Sequence, residues 1–257
     1  NRVNISEMES TDIDEVSITG GYLLEIDRNF DEVNKFLSPF RQEPAPYPLP
    51  YMVKEPAEET LATEQFNWIY NHIYEVEKSL YGEGSTTEGY LQYIDLDSFI
   101  DYWLVYEITG TGEPTHPKSV YMWKDRGGKI HAGPVWDFDY FTFNPYYQEK
   151  LINTNAIWND RIINDPANRA AIKARWEESR EKYRTIAEEI TRQYEYVKES
   201  AEYNATLWPV DPAFYVPNIN NDPNREKDLT VDQAVERMKS YYQAKFEYMD
   251  AYINTNF

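Results

Sequence analysis

The chain has 257 residues, of which 41% are hydrophobic, and it contains no cysteine. Its 45 acidic and 25 basic residues give a formal charge of -20, which repels phosphate backbones and anionic lipid heads and argues against nucleic acid and membrane surfaces as partners. Without cysteine there are no disulfides, no thiolate catalysis and no cysteine-ligated zinc, and the three separated histidines do not resemble a zinc site. The length suits one compact domain, and no apolar run is long enough to predict a membrane span.

The first sixty residues are predicted to be extended and rich in loops. A glycine turn at Gly20 and Gly21 leads into a strand that runs towards Asp27. A proline-rich segment then ends in the short β-prone run Tyr51 to Lys54. Because proline cannot donate to a sheet ladder, this run is predicted to be an edge strand or a rigid connector.

Helical periodicity dominates the rest of the chain. Apolar residues at helical spacing predict four helices, and a turn-rich sequence predicts one hairpin. A loop rich in proline and asparagine is predicted at 209–223. For the second helix, Asp97 or Ser98 is predicted as the N-cap. The predicted helices are 60–80, 97–108, 168–204 and 231–253, and the predicted hairpin joins 119–124 to 129–135. Together these elements predict an α+β domain with a β-containing N-terminal part and a mainly helical C-terminal part.

The segment Gly133–Asp139 contains two acids that alternate with two large aromatic residues. If it is a strand, Asp137 and Asp139 point to one face, and Trp136 and Phe138 point to the other. Carboxylates presented in this way suit a divalent cation. Two other interpretations stay open: the pair caps neighbouring backbone amides, or it binds a structural Ca²⁺.

Five stretches together resemble the spore-coat protein H (CotH) kinase-like family, whose members look like very distant relatives of protein kinases. They are Thr19–Asp27, Ile94–Tyr102, Glu107–Gly110, Pro117–Met122 and Gly133–Asp139. The resemblance implies a distant protein-kinase-like fold in a single domain. Residues 1–60 would be the remnant of an N-terminal lobe, and residues 61–257 a helical lobe that carries the 119–139 hairpin. It also implies that the family's domain begins upstream of Asn1.

The resemblance assigns roles to individual residues. Asp137 takes the place of the kinase metal-binding aspartate, with Asp139 as a second ligand, for Mg²⁺ (or Mn²⁺ or Ca²⁺) that bridges the phosphates of ATP. The family's catalytic-loop aspartate falls near Glu113, whose longer side chain has the same chemistry. An asparagine that often follows it in the family is matched by Ser119. His116 lies in the same loop and is an alternative base.

A kinase also needs a cation to hold the phosphates, oriented by a helix carboxylate. Lys54 is the candidate, because it follows a β-like run and precedes a helix that bears Glu75 and Glu77. The family alignment instead places a lysine near Glu25. The Gly20–Gly21 turn is a weak candidate for a phosphate cradle and more often shapes a hairpin.

These observations predict a kinase-like phosphotransferase that uses ATP and a divalent metal to phosphorylate a hydroxyl of a protein or other acceptor. The alternative is a catalytically degenerate module of the same fold that binds a protein or glycan, suggested by Glu113, Ser119 and Glu25 at positions where the family pattern has other groups. A glycoside hydrolase ranks third. Such an enzyme needs two carboxylates that face each other across a cleft, whereas two acids on one strand face would point from the same wall. Similar members without cysteine suggest an extracytoplasmic location, secreted or at the cell surface.

Overall fold

Five antiparallel strands form one sheet in the order β2-β3-β1-β4-β5. The computed structural model describes residues 3–40, 48–209 and 229–257, so the predicted loop at 209–223 lies outside the described residues from 210 onward. The predicted hairpin is present, although its second strand ends at Ala132 rather than at 135, and its first strand pairs with the strand that follows the glycine turn. The strands are β1 (Tyr22–Ile26), β2 (Lys35–Leu37), β3 (Pro50–Glu55), β4 (Val120–Lys124) and β5 (Ile130–Ala132).

The prediction that β3 is an edge strand or connector is wrong, because β3 pairs with β2 on one side and β1 on the other. Its proline occupies the first strand position, and every later residue of the strand has an amide to donate. The pairing with β1 contains a bulge: Leu23 faces Glu55 and Leu24 faces Val53, which leaves Lys54 as an extra residue. Bulges re-aim side chains and are frequent beside active sites.

Seven helices are described, and each predicted helix overlaps one or two of them; the first begins at Thr63 rather than at 60. The segment predicted as one helix over 168–204 is two helices, separated at Thr185. The N-cap of the second predicted helix is Asp95 rather than Asp97 or Ser98, since the Asp95 carboxylate accepts a hydrogen bond from the Ser98 amide at 2.9 Å. The helices are α1 (Thr63–Tyr81), α2 (Thr87–Tyr90), α3 (Leu96–Thr109), α4 (Asn159–Ile162), α5 (Arg169–Arg184), α6 (Ile186–Leu207) and α7 (Val231–Asn256).

Helix α1 covers one face of the sheet. The Tyr22 ring of β1 stacks on Trp68 with centroids 5.7 Å apart, and its hydroxyl donates to the Gln65 carbonyl. The opposite face carries Glu25, and the Glu25 carboxylate accepts a hydrogen bond from Tyr121 on β4. This second face and the C-terminal end of α3 border the candidate site.

Helix α3 is the centre of the core. Eight of its fourteen residues are buried, and it packs against α5 and α7 as well as β5. Trp158 and Trp176, two large aromatic residues of the C-terminal half, are also fully buried, and Trp158 stacks on Phe99 of α3 with centroids 5.8 Å apart. Among the described residues, no helix combines the length and apolarity needed to cross a membrane.

His72 on α1 provides a pH-dependent contribution to stability. Its Nε2 atom is buried without a hydrogen-bond partner, and its ring stacks on Trp68. Burial, and secondarily the charge of Lys124, lower the pKa of His72 to about 4. A proton therefore binds the unfolded chain more readily, so this stability is complete above the unfolded pKa and is lost as pH falls towards 4.

We expect His72→Phe, which keeps the ring stack, to reduce the acid sensitivity of the fold. Between about pH 7.5 and about pH 5, the wild type should lose about 2 kcal/mol more unfolding free energy than the variant. Urea denaturation at both pH values measures the difference. Equal losses in the two proteins would show that His72 is not responsible.

Candidate active site

Three carboxylates meet at the candidate site: Glu113, Asp137 and Asp139, each with an oxygen within 4.8 Å of the others. Glu113 is buried, Asp137 is half-buried and Asp139 is exposed, so the cluster is open to solvent on one side. The two aspartates predicted as a pair are therefore close together, and the glutamate of the predicted catalytic loop joins them. That third carboxylate was predicted as a base and not as a metal ligand.

The predicted strand geometry of these aspartates is wrong. Strand β5 ends at Ala132, and residues 133–139 have no regular secondary structure. The strand stops where Gly133 and Pro134 follow, since proline has no amide to continue the ladder. Asp137 has a φ of 59°, in the left-handed region that few residues other than glycine adopt. The carboxylates converge through this irregular backbone and not through strand alternation.

Backbone contacts bring Glu113 to the aspartates. Glu113 begins a short 3-10 turn that follows α3, and the preceding Gly112 amide donates to the Tyr140 carbonyl at 2.9 Å. Beside it, the hydroxyls of Thr111 and Thr142 are 2.7 Å apart. The loop after α3 and the segment after Asp139 are thus hydrogen-bonded to each other.

The cluster carries an excess of negative charge, which the nearby Lys118 offsets only in part. Glu113 is 3% exposed, and its Oε2 atom has no hydrogen-bond partner. Burial, followed by the charges of Asp137 and Asp139, raises the pKa of Glu113 to about 7. Burial and the neighbouring Asp137 also raise the pKa of Asp139. A divalent cation would relieve both effects, and three hard oxygen donors with one unpartnered buried atom suit Mg²⁺, Mn²⁺ or Ca²⁺.

Ser119 and Asp27 support the cluster from the sheet. The Ser119 hydroxyl lies 3.4 Å from Asp137 Oδ2, and its amide donates to Asp27 Oδ2 at 3.0 Å. Asp27 is buried directly after β1 and adds to the negative charge that Glu113 experiences. Asp27 was not among the predicted site residues; its only signal in the sequence is an acid at the end of an apolar strand.

Lys54 does not pair with the helix carboxylates predicted for it. Its Nζ lies 3.3 Å from Glu25 Oε2 and contacts Glu32 as well. The predicted partner Glu77 is buried under the opposite face of the sheet, where it accepts hydrogen bonds from Ser38 and Tyr51. Glu75, the other predicted partner, pairs with Lys78.

Lys54 is the extra residue of the bulge in β3. Its position reconciles the two predictions for the phosphate-binding lysine, one at Lys54 and one near Glu25. The Lys54 ammonium group lies beside Glu25, the position near which the family resemblance predicts a lysine. Glu25 is linked to the carboxylate cluster through Tyr121. The Tyr121 hydroxyl donates to Glu25, and the Tyr121 ring centroid lies 6.5 Å from that of Trp136, the residue before Asp137. Lys54 is thus on the same side of the sheet as the carboxylates, but its ion pairs are with Glu25 and Glu32.

The glycine pair is required by packing. A Cβ on Gly20 would lie 2.0 Å from the backbone of Asp125 and Arg126, and one on Gly21 would lie 2.4 Å from the Met8 side chain. Gly21 also has a φ of 102°. The turn therefore packs against the β4–β5 hairpin and the N-terminal segment. These contacts account for the two glycines without a role in phosphate binding.

His116 lies beside the carboxylates, with its Nε2 3.7 Å from Glu113 Oε2. Burial lowers the pKa of His116, so the ring is neutral near pH 7 and does not balance the glutamate charge. Its ring also contacts Tyr140, with centroids 4.3 Å apart. His116 is thus close enough to act on the same groups as Glu113.

The family comparison agrees with this architecture. The family described as CotH kinase protein matches residues 6–255. No curated protein and no solved structure matches the chain. The predicted α+β fold of the CotH type is confirmed by the mixed sheet-and-helix structure together with this match. Since the match covers nearly the whole chain, the chain belongs to the CotH kinase protein family.

Proposed function

We propose that the protein is a phosphotransferase that uses ATP and a divalent metal to phosphorylate a hydroxyl group of a protein or other acceptor. The observation that carries this proposal is the cluster of Glu113, Asp137 and Asp139, in which a buried carboxylate oxygen has no hydrogen-bond partner. The kinase-like family supports the same class of reaction. Phosphoryl transfer depends mainly on positioning and charge stabilisation, and the cluster offers groups for both.

Each carboxylate has a distinct role in this proposal. Asp137 and Asp139 would hold the metal. Glu113 accepts the proton of the acceptor hydroxyl while the hydroxyl oxygen forms a bond to the γ-phosphorus and the bond between the γ-phosphorus and the ADP oxygen breaks. Bound Mg²⁺ or Mn²⁺ supplies neutralisation of phosphate charge. A bound cation would lower the pKa of Glu113 from about 7, which keeps the carboxylate ionised and able to accept a proton near neutrality.

Lys54 is the proposed phosphate contact. Burial lowers its pKa, but the hydrogen bond to Glu32 and the charge of Glu25 outweigh this effect, so its pKa is raised and the ammonium stays charged. Glu25 holds it on the face of the sheet that borders the site. This arrangement is comparable in purpose to the lysine and glutamate pair of kinases, with the glutamate on a strand.

A degenerate module that binds a protein or glycan outside the cytoplasm is the second candidate. It is favoured by the two glutamates around Lys54, which neutralise the cation that phosphates would need. Ser119, in place of the family's asparagine, has the same implication. In this alternative the carboxylate cluster still binds a metal, but the protein transfers no phosphoryl group.

Calorimetric titration of the whole protein with Mn²⁺, and then with ATP in the presence of Mn²⁺, tests the proposal. We expect saturable binding of both in the wild type and loss of Mn²⁺ binding in Asp137→Ala, since this change removes a central oxygen donor. Asp14→Ala, which removes an exposed acid outside the cluster, is the matched control. Absence of binding, or equal binding in Asp137→Ala, would refute the proposal; Mn²⁺ binding without ATP binding would favour the degenerate module.

A further inference from the structure

Tyr106 on α3 holds the backbone next to Asp137. Its phenol donates to the Trp136 carbonyl at 2.8 Å and accepts from the Trp136 amide at 3.1 Å. One buried hydroxyl therefore occupies both backbone polar groups of the residue that precedes the metal-ligand candidate. No strand or helix performs this task, because residues 133–139 have no regular secondary structure.

The Tyr106 ring holds the residue on the other side of Asp137. It stacks on Phe138 with centroids 5.2 Å apart and planes at 22°. It also stacks on Tyr102, with centroids 4.4 Å apart. Asp137 itself is in the left-handed region, a conformation that persists when the surrounding structure fixes it. Tyr106 provides that constraint from both flanks.

We propose that Tyr106 is a positioning residue for the metal site: its hydroxyl and ring fix the backbone on both sides of Asp137, so that the carboxylate is held where a divalent cation needs it. This inference rests on the proposed function. Groups that orient a metal ligand govern affinity without touching the ion, and a loosely held ligand must be ordered when the ion binds. A tyrosine that served only the core would affect stability and leave metal affinity unchanged.

Tyr106→Phe separates the two possibilities, because it keeps both ring contacts and removes only the hydroxyl. We expect Mn²⁺ alone, measured by calorimetry or by electron paramagnetic resonance, to bind about 10-fold more weakly to the variant than to the wild type. The matched control is Tyr242→Phe, which removes a buried phenol that donates to the Tyr183 carbonyl at 2.9 Å, away from the site. The control should lose comparable stability in thermal unfolding and retain wild-type Mn²⁺ affinity.

Amide hydrogen exchange gives a readout that needs no metal. The Trp136 amide should be protected in the wild type and exchange about 10-fold faster in Tyr106→Phe, since its hydrogen-bond acceptor is gone. An unprotected Trp136 amide in the wild type would overturn the inference even if the variant did not fold. Equal Mn²⁺ affinities of wild type and Tyr106→Phe would overturn it while the proposed function stands. Absence of Mn²⁺ binding to the wild type would overturn both.

Discussion

Lys245→Met is expected to lower the free energy of unfolding by about 3–5 kcal/mol, because it leaves a carboxylate unpaired in the core. Lys245 on α7 and Glu107 on α3 are both fully buried, and Nζ lies 3.7 Å from Oε2. The lysine also donates to the carbonyls of Tyr147 and Lys150. One side chain therefore balances the glutamate charge and anchors a loop.

Glu107 also accepts hydrogen bonds from other groups, and these limit how much unfolding free energy a second substitution can restore. Its carboxylate accepts from the amides of Ile152 and Asn153 and from the Trp103 indole. Removing the charge in a Glu107→Gln/Lys245→Met double variant should restore part of the stability, since the amide oxygen still accepts a hydrogen bond and no buried charge remains. Full restoration is not expected, because one oxygen cannot satisfy every donor.

Urea denaturation of the three proteins measures these differences at one pH. The control is Lys239→Met on the same helix, which removes a surface pair with Glu236 and should cost no more than about 1 kcal/mol. If Lys245→Met cost as little as this control, the buried pair would not stabilise the fold. If the double variant were less stable than the single one, unpaired charge would not be the cause of the loss.

The elements that the sequence predicted well are those whose pattern is local. Helix α1 and the β4–β5 hairpin have clear periodicity or turn residues, and both form where expected. The position of β3 in the sheet depends on which strands come together from distant parts of the chain, and local composition pointed to an edge. The break at Thr185 had no proline or glycine to mark it, so one long helix was predicted there.

The candidate site shows the same division between local and long-range information. The spacing of Asp137 and Asp139 identified the pair, although a strand was the wrong reason for their proximity. That Glu113 approaches them depends on hydrogen bonds between two loops, which no spacing reveals. The partner of Lys54 was predicted on the wrong element, because the choice between Glu77 and Glu25 depends on which face of the sheet a bulged residue reaches.

Glu113→Gln is expected to reduce the turnover of phosphoryl transfer by about 10²–10⁴-fold, because the amide has nearly the same shape and cannot accept the acceptor's proton. Steady-state kinetics at saturating Mn²⁺, with the KM for ATP measured alongside, separates this effect from weaker metal binding. A loss of kcat with an unchanged KM indicates a role in the transition state. Glu113→Asp, which shortens the side chain by one methylene, should retain part of the activity.

His116 provides the matched control for this role, because its Nε2 lies 3.7 Å from the Glu113 carboxylate. If His116 is the base instead, His116→Gln should abolish turnover and Glu113→Gln should not.

The stability of Glu113→Gln gives an independent check. The folded pKa of Glu113, about 7, is above its ordinary value, so ionisation opposes folding and the metal-free wild type loses stability as pH rises towards 7. Glu113→Gln should therefore be more stable than the metal-free wild type above pH 7 and catalytically poorer. A variant less stable than the metal-free wild type above pH 7 would show that the ionised Glu113 carboxylate does not oppose folding.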